Sequence, residues 1–147
     1  MTVMIQGSQL RDVGLGRRVT KTITQSGAGT QNVFTITGEV LITSIYGKVT
    51  TAITVAGTTK LTANPTAGTS VDLCTATDLG TTDTVVGEIV VPIKGSAISL
   101  GANVATPHGT VVAAGVIEHT VATGGDGAIQ WCVTYVPLSD DGAVTAA

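Results

Sequence analysis

At 147 residues, with a formal charge of −3 and a pI near 5.1, the chain has single-domain size and is too acidic, taken whole, for a nucleic-acid binder. Charged residues make up only 12% and aromatic residues 3%, while threonine is the commonest residue, a composition that favours β-strands over a catalytic centre. Mean hydropathy is high at +0.43. The longest apolar runs, 88–93 and 111–117, are nevertheless far short of the ~20 residues of a spanning helix, so no membrane association is expected. Surplus apolar surface of this kind is commonly hidden in a multimer.

Residues 1–18 carry Gly14 and Gly16 and have poor periodicity, which predicts an extended N-terminal arm. Met1–Leu10 lacks the pattern of a basic segment, an apolar stretch and a small-residue cleavage site, so no secretory signal is expected. The first 21 residues set Arg11, Arg17, Arg18 and Lys21 against Asp12 alone, a net +3; the remainder, with three lysines against nine acids, carries −6. A basic start of this kind reads as a solvated tail or as an arm that docks on an acidic partner surface.

Strand signals begin at Val19. Val19–Thr24 alternates, the glycine-bearing loop 25–31 follows, and Phe34 and Ile36 share a face of the next strand. In 39–46, Val40, Ile42 and Tyr46 lie opposite Leu41, Thr43 and Ile45. Gly47-Lys48 predicts a tight turn, after which Val49, Thr51, Ile53 and Val55 point one way. A strand over 59–63 ends in Asn64-Pro65-Thr66-Ala67-Gly68, strong turn chemistry. The pattern weakens over 70–83, where Asp72, Asp78 and Asp83 read as loop acids, their spacing fitting no calcium loop. Strands over 84–92 and 96–100 follow. Next, 110–121 and 128–136 flank the glycine-rich 122–127 as a long hairpin. In its second strand Ile129, Trp131, Val133 and Tyr135 form the core face. Pro137 stops that strand, and 139–147 is a polar, small-residue tail.

Eight or nine short strands without a convincing helix predict an all-β chain: an antiparallel two-sheet sandwich or jelly roll over 19–138, with the arm 1–18 before it and the tail 139–147 after it.

Chemistry is sparse. His108 sits in a turn between Pro107 and Gly109, and His119 faces the same way as Ile117 and Val121. No nucleophile stands in an elbow-like setting, no Cys/His spacing suits zinc, and the acids are dispersed apart from Asp140-Asp141. Gly14-Leu15-Gly16-Arg17-Arg18 lacks the third glycine and preceding strand of a dinucleotide loop. No enzyme, cofactor or metal is expected. Cys74 and Cys132 read as buried thiols, a cross-fold disulfide being the alternative. Phe34, Tyr46, Trp131 and Tyr135 read as core residues rather than a sugar platform, with a carbohydrate-binding sandwich as an alternative reading.

Three segments carry a resemblance: Val40-Leu41-Ile42-Thr43-Ser44-Ile45-Tyr46-Gly47-Lys48-Val49-Thr50-Thr51-Ala52-Ile53, Lys60-Leu61-Thr62-Ala63-Asn64-Pro65, and Gly127-Ala128-Ile129-Gln130-Trp131-Cys132-Val133-Thr134-Tyr135-Val136-Pro137-Leu138. Over roughly Val33 to Leu138 the chain resembles structural virion proteins of tailed bacteriophages, most of all the capsid decoration (cement) class. The resemblance implies an oligomer, commonly a trimer, made in the host cytoplasm and seated on the outer capsid surface. There it would bridge neighbouring major capsid subunits. A tail or head-fibre component is the alternative within that class. Arg11, Arg17, Arg18 and Lys21 are the expected docking contacts, with no nucleic-acid partner.

Overall fold

A computed structural model describes residues 14–81, 84–101 and 109–147. Twelve strands are present among them: β1 Arg17–Thr24, β2 Gly29–Thr37, β3 Val40–Thr51, β4 Thr58–Pro65, β5 Val71–Asp72, β6 Thr77–Asp78, β7 Ile89–Val91, β8 Ser99–Gly101, β9 Thr110–Val112, β10 Gly115–Val121, β11 Ala128–Pro137 and β12 Ala143–Ala146. They form two antiparallel sheets. The first has the order β1-β11-β3-β7-β8, with β9 also on β3; the second has β12-β2-β10-β4-β5, with β6 also on β4.

The pairing has a simple logic. Strands β1 to β4 alternate between the sheets and pair in reverse order with β11, β10, β7 and β5. The chain is thus a long antiparallel ribbon rolled over on itself, the connectivity of a jelly roll, and the fold class is the all-β sandwich that the composition predicts. Between the sheets lies one core, in which Trp131, Phe34, Leu61, Ile117 and Ile129 are all fully buried. Ile129, Trp131, Val133 and Tyr135 line that core from β11, as their alternation predicts.

Several local expectations are corrected. Gly47-Lys48 is not a turn; it lies inside the twelve-residue β3. A Cβ on Gly47 would stand 2.5 Å from Ile129 Cγ2 and 2.6 Å from Val90 Cγ2, so the glycine serves close packing within the sheet. The side-chain phase of β3 also slips. Against β11 the register jumps at Thr43 and again at Thr50, leaving each as the extra residue of a bulge. Both threonine hydroxyls donate to carbonyl oxygens of β11, Thr43 to Thr134 at 3.1 Å and Thr50 to Ala128 at 3.2 Å. Val40 and Ile42 therefore face the core before the first bulge and Ile45 after it, while Tyr46 points outward.

The stretch expected as one hairpin is divided between the sheets. β10 pairs with β2 and β4, β11 with β1 and β3, and residues 122–127 cross from one sheet to the other. Likewise 110–121 breaks at Ala113-Ala114, where the chain leaves β9 in the first sheet for β10 in the second. The expected strand over 84–92 is reduced to β7, with Thr84 bridging Ile53. The C-terminal tail is in large part a strand. β12 pairs with β2 and buries Val144.

Candidate functional site

The two histidine-bearing readings separate at once. His108 and Asp83 lie outside the described residues. His119 is fully buried on β10 and meets Trp131 of the opposite sheet with ring centroids 5.9 Å apart at 67°. Trp131 Nε1–H donates to His119 Nδ1 at 2.9 Å. An indole nitrogen only donates, so Nδ1 must be the accepting nitrogen and the neutral ring carries its proton on Nε2. That nitrogen stands 3.1 Å from the side-chain amide of Gln25, itself buried and 3.4 Å from Thr59 Oγ1. The amide accepts through its oxygen when turned by 180°, an isosteric change. Burial pushes the His119 pKa down to about 4. This quartet is a neutral polar bolt between the sheets, closed to solvent.

Asp126 and Asp78 brace loops, while Asp72 and Asp78, expected in a loop, end the short strands β5 and β6, and Asp72 binds across to β4. Asp126 accepts from Thr54 N, Val55 N and Thr54 Oγ1 at 2.7–2.9 Å, and Asp78 accepts from Gly57 N, Gly80 N and both donors of Thr81. Asp72 takes two bonds from Lys60 Nζ, at 2.9 and 3.0 Å, and one from Thr62. These donors hold all three carboxyls below their ordinary range. Cys74 and Cys132 are buried free thiols, and burial pushes the Cys74 pKa up. Of the four aromatic residues, Phe34, Trp131 and Tyr135 are buried and Tyr46 is half-buried, so Trp131 forms no sugar platform.

The expected docking residues converge on one strand. Arg11 lies outside the described residues, but Arg17, Arg18 and Lys21 all stand on β1, which begins two residues before the expected arm boundary. β1 forms one edge of the first sheet, paired with β11 from Arg17 opposite Tyr135 to Thr24 opposite Ala128 without a register break. Strand alternation distributes the cations over two faces. Arg17 and Lys21 stand opposite core-facing Tyr135 and Trp131, whereas Arg18 stands opposite Thr134 on the outer face.

Two of these cations are tied down within the chain. Lys21 Nζ donates to the Ala147 carbonyl oxygen, joining β1 to the segment just after β12 in the other sheet. Arg18 Nε lies 3.0 Å from Cys132 Sγ and covers that thiol from the outside. Cys132 stands opposite Tyr46 on β3; its hydrogen bond, then burial, push the Tyr46 phenol above its ordinary value. An open groove of about 900 Å³ adjoins this edge, its lining including Arg17, Arg18, Val19 and Thr20 of β1 and Gln130 and Thr134 of β11.

A second feature borders the same end of the sheet, unmarked by any sequence motif. Val111, Leu41 and Val136 stand side by side across β9, β3 and β11 on the outer face, next to exposed Leu138. Val111 is 62% exposed, which makes the row a surface feature rather than core. Only the strand pairing reveals it, because the three residues lie far apart in sequence. No protein-family model, curated protein or solved structure matches the chain.

Proposed function

We propose that this chain is a structural virion protein that decorates a phage capsid, binding across neighbouring major capsid subunits as an oligomer, with a trimer the favoured form. The observation that carries the reading is the long basic edge β1 lying beside the apolar row Val111–Leu41–Val136, whose two ends are exposed. A basic rim next to an apolar patch is the anatomy of a protein contact surface. The sequence resemblance supplies the identity of the partner, and a jelly-roll sandwich is a fold that virion proteins use, an argument by analogy. High mean hydropathy, with Val85, Val86 and Val111 exposed, supports an oligomer.

Avidity is the mechanism. Each subunit contributes modest contacts, and an oligomer engaging several capsid sites gains through effective concentration. The test is the copy number of the chain in purified virus particles, measured by quantitative mass spectrometry against the major capsid protein. Hundreds of copies are expected on the order of a shell lattice. A handful would move the chain to the tail or a head fibre, and none would end the virion reading.

A further inference from the structure

We infer that the free edge of β1 is a strand-addition site, and that its guest is an extended, acidic segment of another polypeptide. The inference deepens the decoration reading and rests on it only for the partner's identity.

The fold handles its edges unequally. Exposed sheet edges invite pairing, and proteins blunt them by shortening, by bulges or by proline. Here β5, β6, β8, β9 and β12 have two to four residues each. β1 has eight, with no proline or glycine and no register shift against β11. Among the described residues no strand lies on its other side. Charged side chains are the remaining guard, and two of the three on β1 are drawn aside: Arg18 over the sheet to Cys132, Lys21 across the sandwich to Ala147.

Which backbone groups are free follows from antiparallel alternation. Gln25 N donates to Gly127 O at 3.0 Å, so Gln25 and, by twos, Ile23, Lys21, Val19 and Arg17 direct their N–H and C=O groups toward β11. Arg18, Thr20, Thr22 and Thr24 then direct theirs away. Two independent contacts agree. Gln31 Nε2 of β2 reaches the Thr24 carbonyl oxygen at 3.0 Å, and the Thr134 carbonyl of β11 is taken by Thr43 on the β3 side. A guest strand would therefore pair with Arg18, Thr20 and Thr22. Its side chains would neighbour Arg18 and the threonines on the outer face, and Arg17 and half-buried Val19 on the inner one. Two adjacent arginines at the head of the edge select a guest with carboxylates there, since opposite charges on neighbouring strands attract and like charges repel.

The experiment is an amide-exchange measurement by NMR on the full chain, with two blocked hexapeptides as probes: acetyl-Val-Glu-Val-Thr-Val-Glu-amide and the same peptide with lysine for glutamate. With the acidic peptide, exchange at the Thr20 and Thr22 amides is expected to slow by at least about tenfold, whereas Val19 and Lys21, already bonded to β11, stay unchanged. The lysine peptide should give no protection. Thr20→Pro should abolish the effect, because its N–H faces outward and its loss leaves the β1–β11 ladder whole. An acidic peptide N-methylated along one edge should also fail, which keeps the test decisive if the proline variant does not fold. Equal protection by both charged peptides, or protection that survives N-methylation, would overturn the inference. So would the absence of protection at millimolar acidic peptide, and that result together with hundreds of copies per particle would leave decoration standing and remove only this mode of attachment.

Discussion

Acid should loosen this sandwich at one identifiable point. His119 is fully buried, its Nδ1 accepts from Trp131, and burial lowers its pKa from 6.5 to about 4. The unfolded chain therefore binds a proton at this residue more tightly than the folded one does. Full stability is present above pH 6.5 and is lost as the pH falls from there toward 4, below which the folded protein is protonated too. At ~1.4 kcal/mol for every tenfold change in proton affinity, the loss comes to about 3 kcal/mol, a large share of a typical domain's stability. Geometry gives the cause. A protonated ring would turn Nδ1 into a donor facing the Trp131 N–H, opposing two donors in a buried site. The assay is urea unfolding at pH steps from 7.5 to 4.5, comparing the parent with His119→Gln, whose amide oxygen can still accept from Trp131 but does not titrate. Carboxylates and His108 are common to both proteins and cancel in the difference. The parent should lose stability across that range and the variant should lose about 3 kcal/mol less. Parallel curves for the two would refute the argument.

Gly47→Ala should destabilise by about 1–3 kcal/mol in urea unfolding, since the new methyl group would press on Ile129, Val90 and the Trp131 ring; a neutral result would contradict the close packing. Deleting residues 143–147 should cost about 2–4 kcal/mol by thermal or urea melting, because it uncovers Phe34 and Ile36, removes buried Val144 and releases the Lys21 clasp. Neither cysteine should react with a thiol reagent in the native state, and both should react once unfolded. Arg18→Ala should make Cys132 reactive while Cys74 stays silent, and equal exposure of the two would show that the guanidinium does not cover the thiol.

Local alternation made β11 readable, because its apolar residues occupy every second place and nothing interrupts them between Ile129 and Tyr135. The same reasoning failed in β3 for a physical reason. Thr43 and Thr50 fill the bulges with hydroxyl bonds to β11, and a threonine in a bulge is indistinguishable in sequence from one in a regular strand. The glycine-rich 122–127 illustrates a second blind spot. Its composition marks a loop correctly, but whether the flanking strands pair with each other depends on partners elsewhere in the chain. Charge asymmetry singled out Arg17, Arg18 and Lys21, which the structure places on one strand. It could not show that they divide between two faces, nor that Val111, Leu41 and Val136 meet beside them.

That division of labour among the cations bears on how the edge would work. β1 is held from three directions: by β11 along its full length, by Arg18 against Cys132 on the outer face, and by Lys21 against the end of the second sheet. Nearby, the neutral His119–Trp131 contact fixes β11 itself against β10. A strand braced in this way has little conformational freedom left to lose when a guest pairs with it, so the ordering cost falls almost wholly on the guest. Binding at such an edge depends on the rigidity of the host as much as on its charge. It follows that weakening the brace should weaken docking without touching the pairing groups: Lys21→Ala, which leaves the outward amides of Thr20 and Thr22 intact, should lower affinity for the acidic peptide more than removal of a lysine elsewhere, such as exposed Lys48. Titrating both variants with the peptide decides it, and equal losses would show that charge alone, not bracing, sets the strength of the edge.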